Sequence, residues 1–404
     1  MNAVDCEEIS AKKNKRVGII THYYSSTNYG GNLQSYALVV AVERIASVFV
    51  EQICYSWGGD CKKINFRPVE NSLKKNTYRV LNVFFHLSKI KDKILRRINK
   101  KKLINFKILK EKNFFFFNQI TVPHSNKVYT SENISESLAY YDAFITGSDQ
   151  VWNTEWYTPV FFLKFVPSDK IKISYAASIS KDSLTDGEKE VFKKSLADYK
   201  AVSVREEQAE ELIKDLSPVK PVVTLDPTLL LDEGDWDKVC APRVVDEDYI
   251  FCYFLGNNPK ERKIAKKFAK EKGLKLVSIP LTGAMVYSDL KFGDVVLPAA
   301  SPEEFISLIK HASYVFTDSF HAVVFSQIYK RQYFAFNRDS KGSMNSRIIN
   351  ITNLFDTQER FCNGKDRETL KYVHSLKDID FTRPNKRFED LKEFSIDFLR
   401  ENLT

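Results

Sequence analysis

The pattern at residues 317–322 (TDSFHA) combines polar side chains with an apolar run before it and helical spacing after it. In such a strand-turn-helix unit His321 falls in the first helical turn, where free backbone N–H groups point outward. A histidine in this place can bind a phosphate or a carboxylate and pass on a proton. The alternative is a histidine satisfied inside the core, but the turn context favours a ligand cleft. We therefore predict that His321 faces a cleft.

A second polar turn follows the apolar run 141–146 and contains Gly147, Ser148, Asp149 and Gln150. A hydroxyl, a carboxylate and an amide in succession suit the binding of hydroxyl groups of a ligand or the removal of a proton from one of them. The alternative is that Ser148 or Asp149 only caps a helix.

A third turn, 28–34 (NYGGNLQ), follows the first apolar run of the chain. Glycines beside a helix start let backbone N–H groups approach a ligand, although paired glycines also occur in simple tight turns. The candidate binding residues of this turn are Asn28, Tyr29, Gly30, Gly31, Asn32 and Gln34.

Two arginines complete the candidate set. Arg205 follows the apolar run 201–204, and a guanidinium at a strand end can bind a phosphate or carboxylate through two hydrogen bonds. An ion pair with Glu206 or Glu207 is the alternative. Arg347 begins a helical pattern and is a further candidate for anion binding.

The elements that must position these residues alternate between short apolar runs and helical patterns, which predicts mostly parallel sheets. Two such series are separated by residues 226–237, which contain Asp226-Pro227-Thr228 and an acidic stretch. We predict an α/β fold with two Rossmann-like domains that face a cleft, 1–230 and 231–385. A C-terminal helix, 386–404, is predicted to pack back on the N-terminal domain.

Length and composition agree with a two-domain globular protein: 404 residues, 43% hydrophobic and 28% charged. The six cysteines have no CxxC spacing and indicate reduced thiols, and no spacing typical of a metal site is present. The apolar runs are shorter than the ~18 residues that span a bilayer, and the first 16 residues lack the apolar core of a secretory signal. We predict a cytoplasmic protein without an obligatory metal ion.

The net charge of +9 is concentrated in residues 73–112, which hold 14 Lys and Arg against two acidic residues. The remainder of the chain is slightly acidic, so nucleic-acid binding is not predicted. Within 80–109 the apolar residues follow helical spacing, and a basic amphipathic helix is typical of binding to an anionic membrane surface. The alternative is that its apolar face packs on the first domain while the lysines are solvated.

Five motifs in this order resemble the polysaccharide pyruvyl transferase family: 28–34 (NYGGNLQ), 147–152 (GSDQVW), 203–206 (SVRE), 226–228 (DPT) and 317–322 (TDSFHA). The resemblance extends over about 17–354 and is interrupted by the basic segment. It implies a two-lobed, GT-B-like fold. It also implies transfer of a pyruvyl unit from phosphoenolpyruvate to sugar hydroxyls, with formation of a pyruvate ketal and release of phosphate. Similar proteins work in capsule, cell-wall or exopolysaccharide assembly.

The resemblance also implies roles for the candidate residues. Arg205 and His321 match positions that hold and activate phosphoenolpyruvate, with His321 as proton donor or phosphate clamp. Asp149 is expected to orient or deprotonate an acceptor hydroxyl. The expected donor-binding residues, on the side of the second domain, are Arg205, Ser319, Phe320, His321 and Arg347. The expected acceptor-binding residues, on the side of the first domain, are Asn28, Tyr29, Gly30, Gly31, Asn32, Gln34, Ser148 and Gln150.

The implied partners are phosphoenolpyruvate and a sugar or lipid-linked oligosaccharide, with no obligatory cofactor. If that oligosaccharide is lipid-linked, residues 73–112 are expected to place the protein peripherally on the inner face of the membrane. Two other functions fit the same architecture. A nucleotide-sugar glycosyltransferase predicts a nucleotide-diphosphate site in the second domain, and a non-catalytic glycan-binding protein predicts binding without phosphate release.

Overall fold

The structure, a computed structural model, describes residues 15–57, 100–256, 258–281, 287–338, 344–362 and 366–404. Residues 73–99 of the predicted basic segment 73–112 therefore lie outside the described residues. Its end belongs to a helix that begins at Lys100. No helix in the described ranges is both long and apolar enough to cross a lipid bilayer.

The first domain is built on a parallel sheet of seven strands in the order β3-β2-β1-β4-β5-β6-β7. Its strands are β1 (Arg16–Ile20), β2 (Phe49–Tyr55), β3 (His124–Tyr129), β4 (Ala143–Asp149), β5 (Ile171–Ala177), β6 (Ala201–Val204) and β7 (Val222–Val223). The strand order reverses between the neighbours β1 and β4. Ligands of open α/β sheets bind at such a switch point, outside the carboxyl ends of the strands.

The second domain repeats this design with six parallel strands in the order β10-β9-β8-β11-β12-β13. They are β8 (Tyr249–Tyr253), β9 (Lys275–Ser278), β10 (Val295–Val296), β11 (Tyr314–Thr317), β12 (Gln332–Phe336) and β13 (Phe361–Cys362). The switch point lies between β8 and β11, and the turn that contains His321 follows β11 directly.

The helices of the described ranges cover the two sheets. They are α1 (Tyr29–Ala46), α2 (Lys100–Ile120), α3 (Asp186–Leu196), α4 (Glu207–Ile213), α5 (Glu233–Asp237), α6 (Pro259–Lys272), α7 (Pro302–Lys310), α8 (Phe320–Ile328), α9 (Met344–Leu354), α10 (Asp366–Ser375) and α11 (Lys386–Leu403). Short 3-10 helices span Ile134–Ala139, Thr154–Trp156, Pro159–Phe162, Pro227–Leu229, Tyr287–Lys291 and Gln358–Arg360.

The prediction of two Rossmann-like domains with a GT-B-like arrangement is confirmed. The first sheet ends at Val223 and the second begins at Tyr249, so the predicted boundary at 230 falls between them. Helix α11 returns to the first sheet, as predicted. There the Ser395 hydroxyl accepts a hydrogen bond from the Leu225 N–H at 3.0 Å, and the ring of Phe398 lies 6.3 Å from that of Tyr175.

Helix α1 connects the two domains. The side chain of Tyr29 is fully buried, stacks on Phe305 of α7 with ring centroids 4.5 Å apart, and donates a hydrogen bond to the Ala300 carbonyl at 2.6 Å. Arg44, near the end of α1, pairs with Asp235 of α5 through both carboxylate oxygens at 2.6 Å. These contacts hold the carboxyl ends of the two sheets close together.

Helix α2 packs with one side and exposes apolar residues on the other. Phe114 and Phe117 are buried, whereas the packing of residues 80–99, for which an apolar face against the first domain was the alternative, lies outside the described residues. A second set of apolar side chains remains in solvent: Ile104, Ile108, Leu109, Phe115, Phe116 and Ile120. We call this second set the outer face of α2.

Candidate functional site

The site lies where strand ends of both sheets meet. Asp149 is the last residue of β4, Arg205 follows β6, and Asp226 follows β7. His321 enters from the second domain in the first turn of α8. The carboxylate oxygen Oδ2 of Asp226 joins them, since it lies 2.8 Å from Nη1 of Arg205 and 3.5 Å from Nε2 of His321.

Arg205 is surrounded by three carboxylates. Besides Asp226, Glu206 lies 3.3 Å from Nε and Asp149 lies 3.6 Å from Nη2. Burial would lower the pKa of Arg205, but Glu206, Asp226 and Asp149 together raise it above its ordinary value. The predicted pair with Glu206 is therefore present, and it does not remove Arg205 from the site. Phe320 covers one face of the guanidinium, 4.8 Å from the ring centroid.

Two donor atoms at this junction make only long contacts with a carboxylate oxygen, 3.6 Å to Asp149 and 3.5 Å to Asp226. They are Nη2 of Arg205 and Nε2 of His321, and both side chains are more than nine-tenths buried. Because these contacts are longer than an ordinary hydrogen bond, the oxygens of a bound anion can complete the hydrogen bonding of both donors. A cavity of about 100 Å³ opens beside Arg205 and Asp226 and is also lined by Phe320, whereas His321 and Arg347 lie outside its lining.

The His321 ring can occupy its position only because residue 30, in the other domain, is a glycine. A methyl group built on Gly30 would lie 2.0 Å from Nδ1 of His321 and 2.6 Å from its Cγ. Real carbon contacts are about 3.5–4.0 Å, so the ring occupies the space that a side chain at position 30 would need. The ring of Phe320 packs edge to face against the ring of His321, with ring centroids 5.1 Å apart.

Asp226 is a site residue that the motif reading left without a role. Its Oδ1 accepts hydrogen bonds from the backbone N–H and the hydroxyl of Thr228 at 3.1 and 2.7 Å. Burial would raise the pKa of Asp226, but the charges of His321 and Arg205 and these hydrogen bonds bring it well below its usual range. The position of Asp226 after a strand could be recognised in the sequence. Its contact with His321 could not, because His321 belongs to the other domain.

Arg347 brings a second guanidinium to the site from α9. Burial, together with the charge of Arg205, lowers the pKa of Arg347 to about 10, and Glu206 and Asp149 oppose the shift only in part. The Gln150 amide, oriented with its oxygen toward Arg347, accepts from Nη1 at 3.1 Å and from Nη2 at 3.3 Å. The site thus brings two guanidiniums, Arg205 and Arg347, together with the carboxylates of Asp149, Glu206 and Asp226.

Asp149 adopts a left-handed backbone conformation with φ of 68°, which residues other than glycine rarely adopt. Its Oδ2 would lie 3.6 Å from a methyl group on Gly31, so the carboxylate faces the start of α1. The alternative of a helix cap is wrong for Ser148 and Asp149. Both belong to β4, and the nearest helical turn in the described chain, Thr154–Trp156, is capped by Asn153.

The family model for polysaccharide pyruvyl transferases matches residues 28–340. The match includes the turns of both domains and every residue placed at the junction except Arg347. The chain belongs to the polysaccharide pyruvyl transferase family. The resemblance inferred from the five motifs is confirmed, and the protein is a transferase whose family implies a sugar or polysaccharide acceptor.

Solved structures share the fold of this pyruvyl transferase family member at low sequence identity. The UDP-GlcNAc 2-epimerase from Methanocaldococcus jannaschii is 12% identical with a TM-score of 0.51, over 94% of this chain and 99% of that chain. The UDP-N-acetylglucosamine 2-epimerase from Rickettsia bellii is 12% identical with a TM-score of 0.50, over 96% of this chain and 95% of that chain. No curated protein sequence matches. These similarities show the fold alone.

The expected acceptor-binding residues of this transferase have two kinds of environment. Asn28 is exposed and caps α1 by accepting from the Gly31 N–H at 3.3 Å, and Gln150 is half-buried against Arg347. Tyr29 belongs to the domain contact described above. Their contact with an acceptor stays a prediction.

Three further residues of that set are fully buried. Gln34 donates to the Thr21 hydroxyl at 3.0 Å and accepts from the Ser148 N–H at 3.1 Å, which connects the ends of β1 and β4. Ser148 donates to the Ala176 carbonyl at 2.9 Å, and Asn32 donates to the Asn28 carbonyl at 2.7 Å. The contacts observed for these three residues are internal.

The turn after β8 lies opposite, in the second domain. The Asp318 carboxylate accepts hydrogen bonds from the N–H groups of Leu255 and Gly256 at 2.6 and 2.7 Å. Burial raises the pKa of Asp318, and Arg338 and the two N–H donors oppose this. Ser319 caps α8 without a side-chain hydrogen bond to it. Among the described residues, no group of three His, Cys, Asp or Glu side chains is placed to hold a metal ion.

Proposed function

We propose that this protein transfers the pyruvyl unit of phosphoenolpyruvate to two hydroxyls of a polysaccharide or lipid-linked oligosaccharide precursor, with release of phosphate. The observation that carries the proposal is the pair of buried donors from the two domains that make only long contacts with carboxylates, Arg205 Nη2 and His321 Nε2. Phosphoenolpyruvate bears a phosphate and a carboxylate, and it can supply acceptors to both donors at once. Arg347 adds a third cationic group within the same junction.

The proposed reaction balances as follows. A proton from His321 adds to the methylene carbon of phosphoenolpyruvate, which becomes a methyl group, and the electron-poor neighbouring carbon is attacked by the first sugar hydroxyl. The carbon–oxygen bond to phosphate then breaks, and the second hydroxyl attacks the same carbon. Each hydroxyl loses one proton. One of these protons restores His321, and the other leaves with the phosphate.

The residues of the junction fit these steps. His321 Nε2 lies 3.5 Å from the Asp226 carboxylate, which orients the ring, and this placement supports His321 as the proton donor rather than only a phosphate clamp. Arg205 and Arg347 neutralise the phosphate and carboxylate groups of the donor. Asp149 accepts the proton of an attacking hydroxyl. Since two guanidiniums can stabilise the leaving phosphate, the proposal requires no obligatory metal ion or other cofactor.

One observation favours phosphoenolpyruvate over a nucleotide sugar as the donor. In an α/β domain, a diphosphate is usually bound by N–H groups at the carboxyl end of a strand near the switch point. In the second domain the N–H groups of Leu255 and Gly256 are already occupied by the Asp318 carboxylate. A nucleotide diphosphate would have to displace a buried carboxylate there.

The proposal extends to the location of the reaction, the cytoplasmic side of a membrane on which a capsule or exopolysaccharide precursor is assembled. The outer face of α2 supports peripheral binding, because exposed apolar residues such as Ile108 and Phe115 stand beside Lys107 and Lys112 on the same helix. Apolar side chains flanked by lysines suit an anionic lipid surface.

Thermal unfolding tests the donor. A ligand at 100 times its dissociation constant stabilises the native state by about 2.7 kcal/mol, so phosphoenolpyruvate should raise the melting temperature of the wild type. UDP-sugars and inorganic phosphate at equal concentration should raise it less. His321→Ala should lose most of the effect, whereas His311→Ala, a histidine at the end of α7, should keep it. Equal stabilisation of His321→Ala and the wild type would contradict the assigned site.

A further inference from the structure

The carboxyl ends of β1 and β2 carry an aromatic pair that the proposed transfer has not used. The strands are parallel neighbours, and His22 and Trp57 each stand two residues beyond the end of their strand. Their rings are stacked, with centroids 5.0 Å apart and an interplanar angle of 18°. Phe161, fully buried, supports His22 from behind with ring centroids 4.2 Å apart.

The pair presents an uncharged surface. Burial lowers the pKa of His22 to about 4, and the opposing charge of Asp149 does not restore it, so the imidazole is neutral at physiological pH. Its Nε2 is shielded from solvent and has no hydrogen-bond partner among the described residues, so a catalytic or ion-pairing role is not visible. Trp57 is half-buried and keeps part of its ring in solvent.

The pair also stands beside the carboxylate that is proposed to activate a hydroxyl. Gly31 separates the two, because a methyl group built there would lie 2.7 Å from the His22 carbonyl oxygen and 3.6 Å from Oδ2 of Asp149. His22, Trp57 and Asp149 therefore border one region, at the switch point of the first sheet and at the start of α1. Asp149 also faces Arg205 at 3.6 Å, so this region adjoins the proposed donor site.

We propose that Trp57, backed by His22, is the surface on which a hexopyranose ring of the acceptor stacks, an inference that rests on the proposed pyruvyl transfer. One face of a pyranose ring consists largely of C–H groups, which pack on an aromatic plane, while the hydroxyls project from its rim. A ring stacked on Trp57 directs rim hydroxyls toward Asp149.

The reaction itself requires such a surface. A ketal forms only when two hydroxyls of one sugar reach the same carbon in turn, so the ring must keep one orientation between two bond-forming steps. Hydrogen bonds to single hydroxyls would change as each hydroxyl reacts, whereas stacking on the C–H face is unaffected. The stacked rings of Trp57 and His22, which we call the platform, thus position the acceptor. The shape of this surface selects which sugar faces can stack on it.

Saturation-transfer NMR with methyl glycosides of glucose, galactose, mannose and N-acetylglucosamine tests the platform directly. We expect the wild type to saturate the ring C–H protons of at least one glycoside, Trp57→Phe to retain the signal, and Trp57→Ala to weaken binding about tenfold. Tyr140→Ala removes an exposed aromatic side chain that precedes β4, at the amino end of the strand and away from the carboxyl ends of β1 and β2, and should behave as the wild type.

The outcomes separate the platform from the donor site. If the wild type shows no saturation-transfer signal with any of the four glycosides, or if the signal survives in Trp57→Ala, the proposed stacking on Trp57 is wrong. Stabilisation by phosphoenolpyruvate is measured on the same samples and should be equal in the wild type and Trp57→Ala. If phosphoenolpyruvate stabilises neither protein, the proposed function fails, whatever the glycosides show.

Discussion

At the scale of single residues, the contact between Gly30 and His321 is the tightest constraint on the site. Gly30→Ala must displace the imidazole ring, since a methyl group would lie 2.0 Å from Nδ1. A misplacement of about 1 Å can cost 100-fold in rate, and we expect a loss of that order in phosphate release from phosphoenolpyruvate and acceptor. The melting temperature should fall moderately, because displacing a buried ring costs about 1–3 kcal/mol, which exceeds the gain of about 0.5–1 kcal/mol from alanine in a helix.

Gly234→Ala is the matched control for this experiment. Gly234 also lies in a helix, α5, and a methyl group there meets only ordinary contact, 3.4 Å from Oδ1 of Asp232. Its activity should equal that of the wild type. Full activity of Gly30→Ala would show that the position of His321 does not limit the reaction.

The charge of the Asp226 carboxylate contributes to the free energy of unfolding as well as to the site. Removing one partner of a buried ion pair costs about 3–5 kcal/mol, so Asp226→Asn should lower the free energy of unfolding by that order at pH 7. The pKa of Asp226 lies well below its ordinary value of about 4, so its stabilisation is complete above pH 4 and is lost as the pH falls further.

Urea unfolding of Asp226→Asn and the wild type at several pH values checks this. The difference in stability between the two proteins should be constant from pH 7 down to about pH 4 and should shrink below it. A difference that instead shrinks between pH 7 and pH 5 would mean that a group with a higher pKa, rather than Asp226, carries the effect. Asp380→Asn, which removes an exposed ion pair with Arg383, serves as the control.

The residues that the sequence revealed and those that it did not differ in one respect. His321, Arg205 and Asp149 each follow an apolar run directly, so a local pattern places them at a strand end. Gly30 and Asp226 also stand near strand ends, but their roles depend on His321, which lies in the other domain. Local patterns do not contain such contacts between domains.

At the scale of elements, the start of α7 agrees with the sequence pattern, whereas the start of α1 does not. Helix α7 begins after Ser301, whose hydroxyl accepts from the Glu304 N–H in a capping box, and the sequence shows both residues. Helix α1 begins earlier than its apolar spacing predicts, at Tyr29, because Asn28 caps it. Strand β3 was not predicted because it is a largely polar edge strand that buries Ser125 and Tyr129 alone.

Helix α2 permits a test of membrane binding that leaves the fold intact. Ile108 and Phe115 are 57% and 56% exposed, so replacing both with glutamate should not change the melting temperature. Each apolar side chain contributes about 1.5–3 kcal/mol on burial, and vesicles of phosphatidylserine and phosphatidylcholine should therefore bind the double variant at least tenfold more weakly in sedimentation.

Phe394→Glu provides the control for that experiment, because Phe394 is an apolar residue of α11 with 44% exposure. Binding of this variant should match the wild type. If the wild type itself does not sediment with anionic vesicles, or if the double variant binds equally well, the outer face of α2 has another role. Deletion of the whole basic segment would be less informative, since Lys110 of the same helix is buried over the ring of Tyr29.

At the scale of the whole molecule, the fold and the chemistry have different origins. Two parallel sheets with facing switch points are shared with epimerases at 12% identity, so the architecture alone does not choose a reaction. Which reaction takes place is determined by the side chains at the strand ends of both domains. Arg205 and Asp226 come from the first sheet, and His321 and Arg347 come from the second domain. The site is complete only when the domains are together.

The charge of this shared site predicts how the enzyme responds to metal removal. Arg205 and Arg347 approach from different domains, and the lowered pKa of Arg347, about 10, still leaves it cationic at neutral pH. Two guanidiniums therefore face the departing phosphate, and we expect its release to continue at an unchanged rate after EDTA treatment and dialysis. Arg347→Ala should reduce the rate at least 100-fold, as removal of one charge-stabilising donor commonly does. Loss of activity in EDTA that returns with Mg²⁺ would show that a metal ion shares this role.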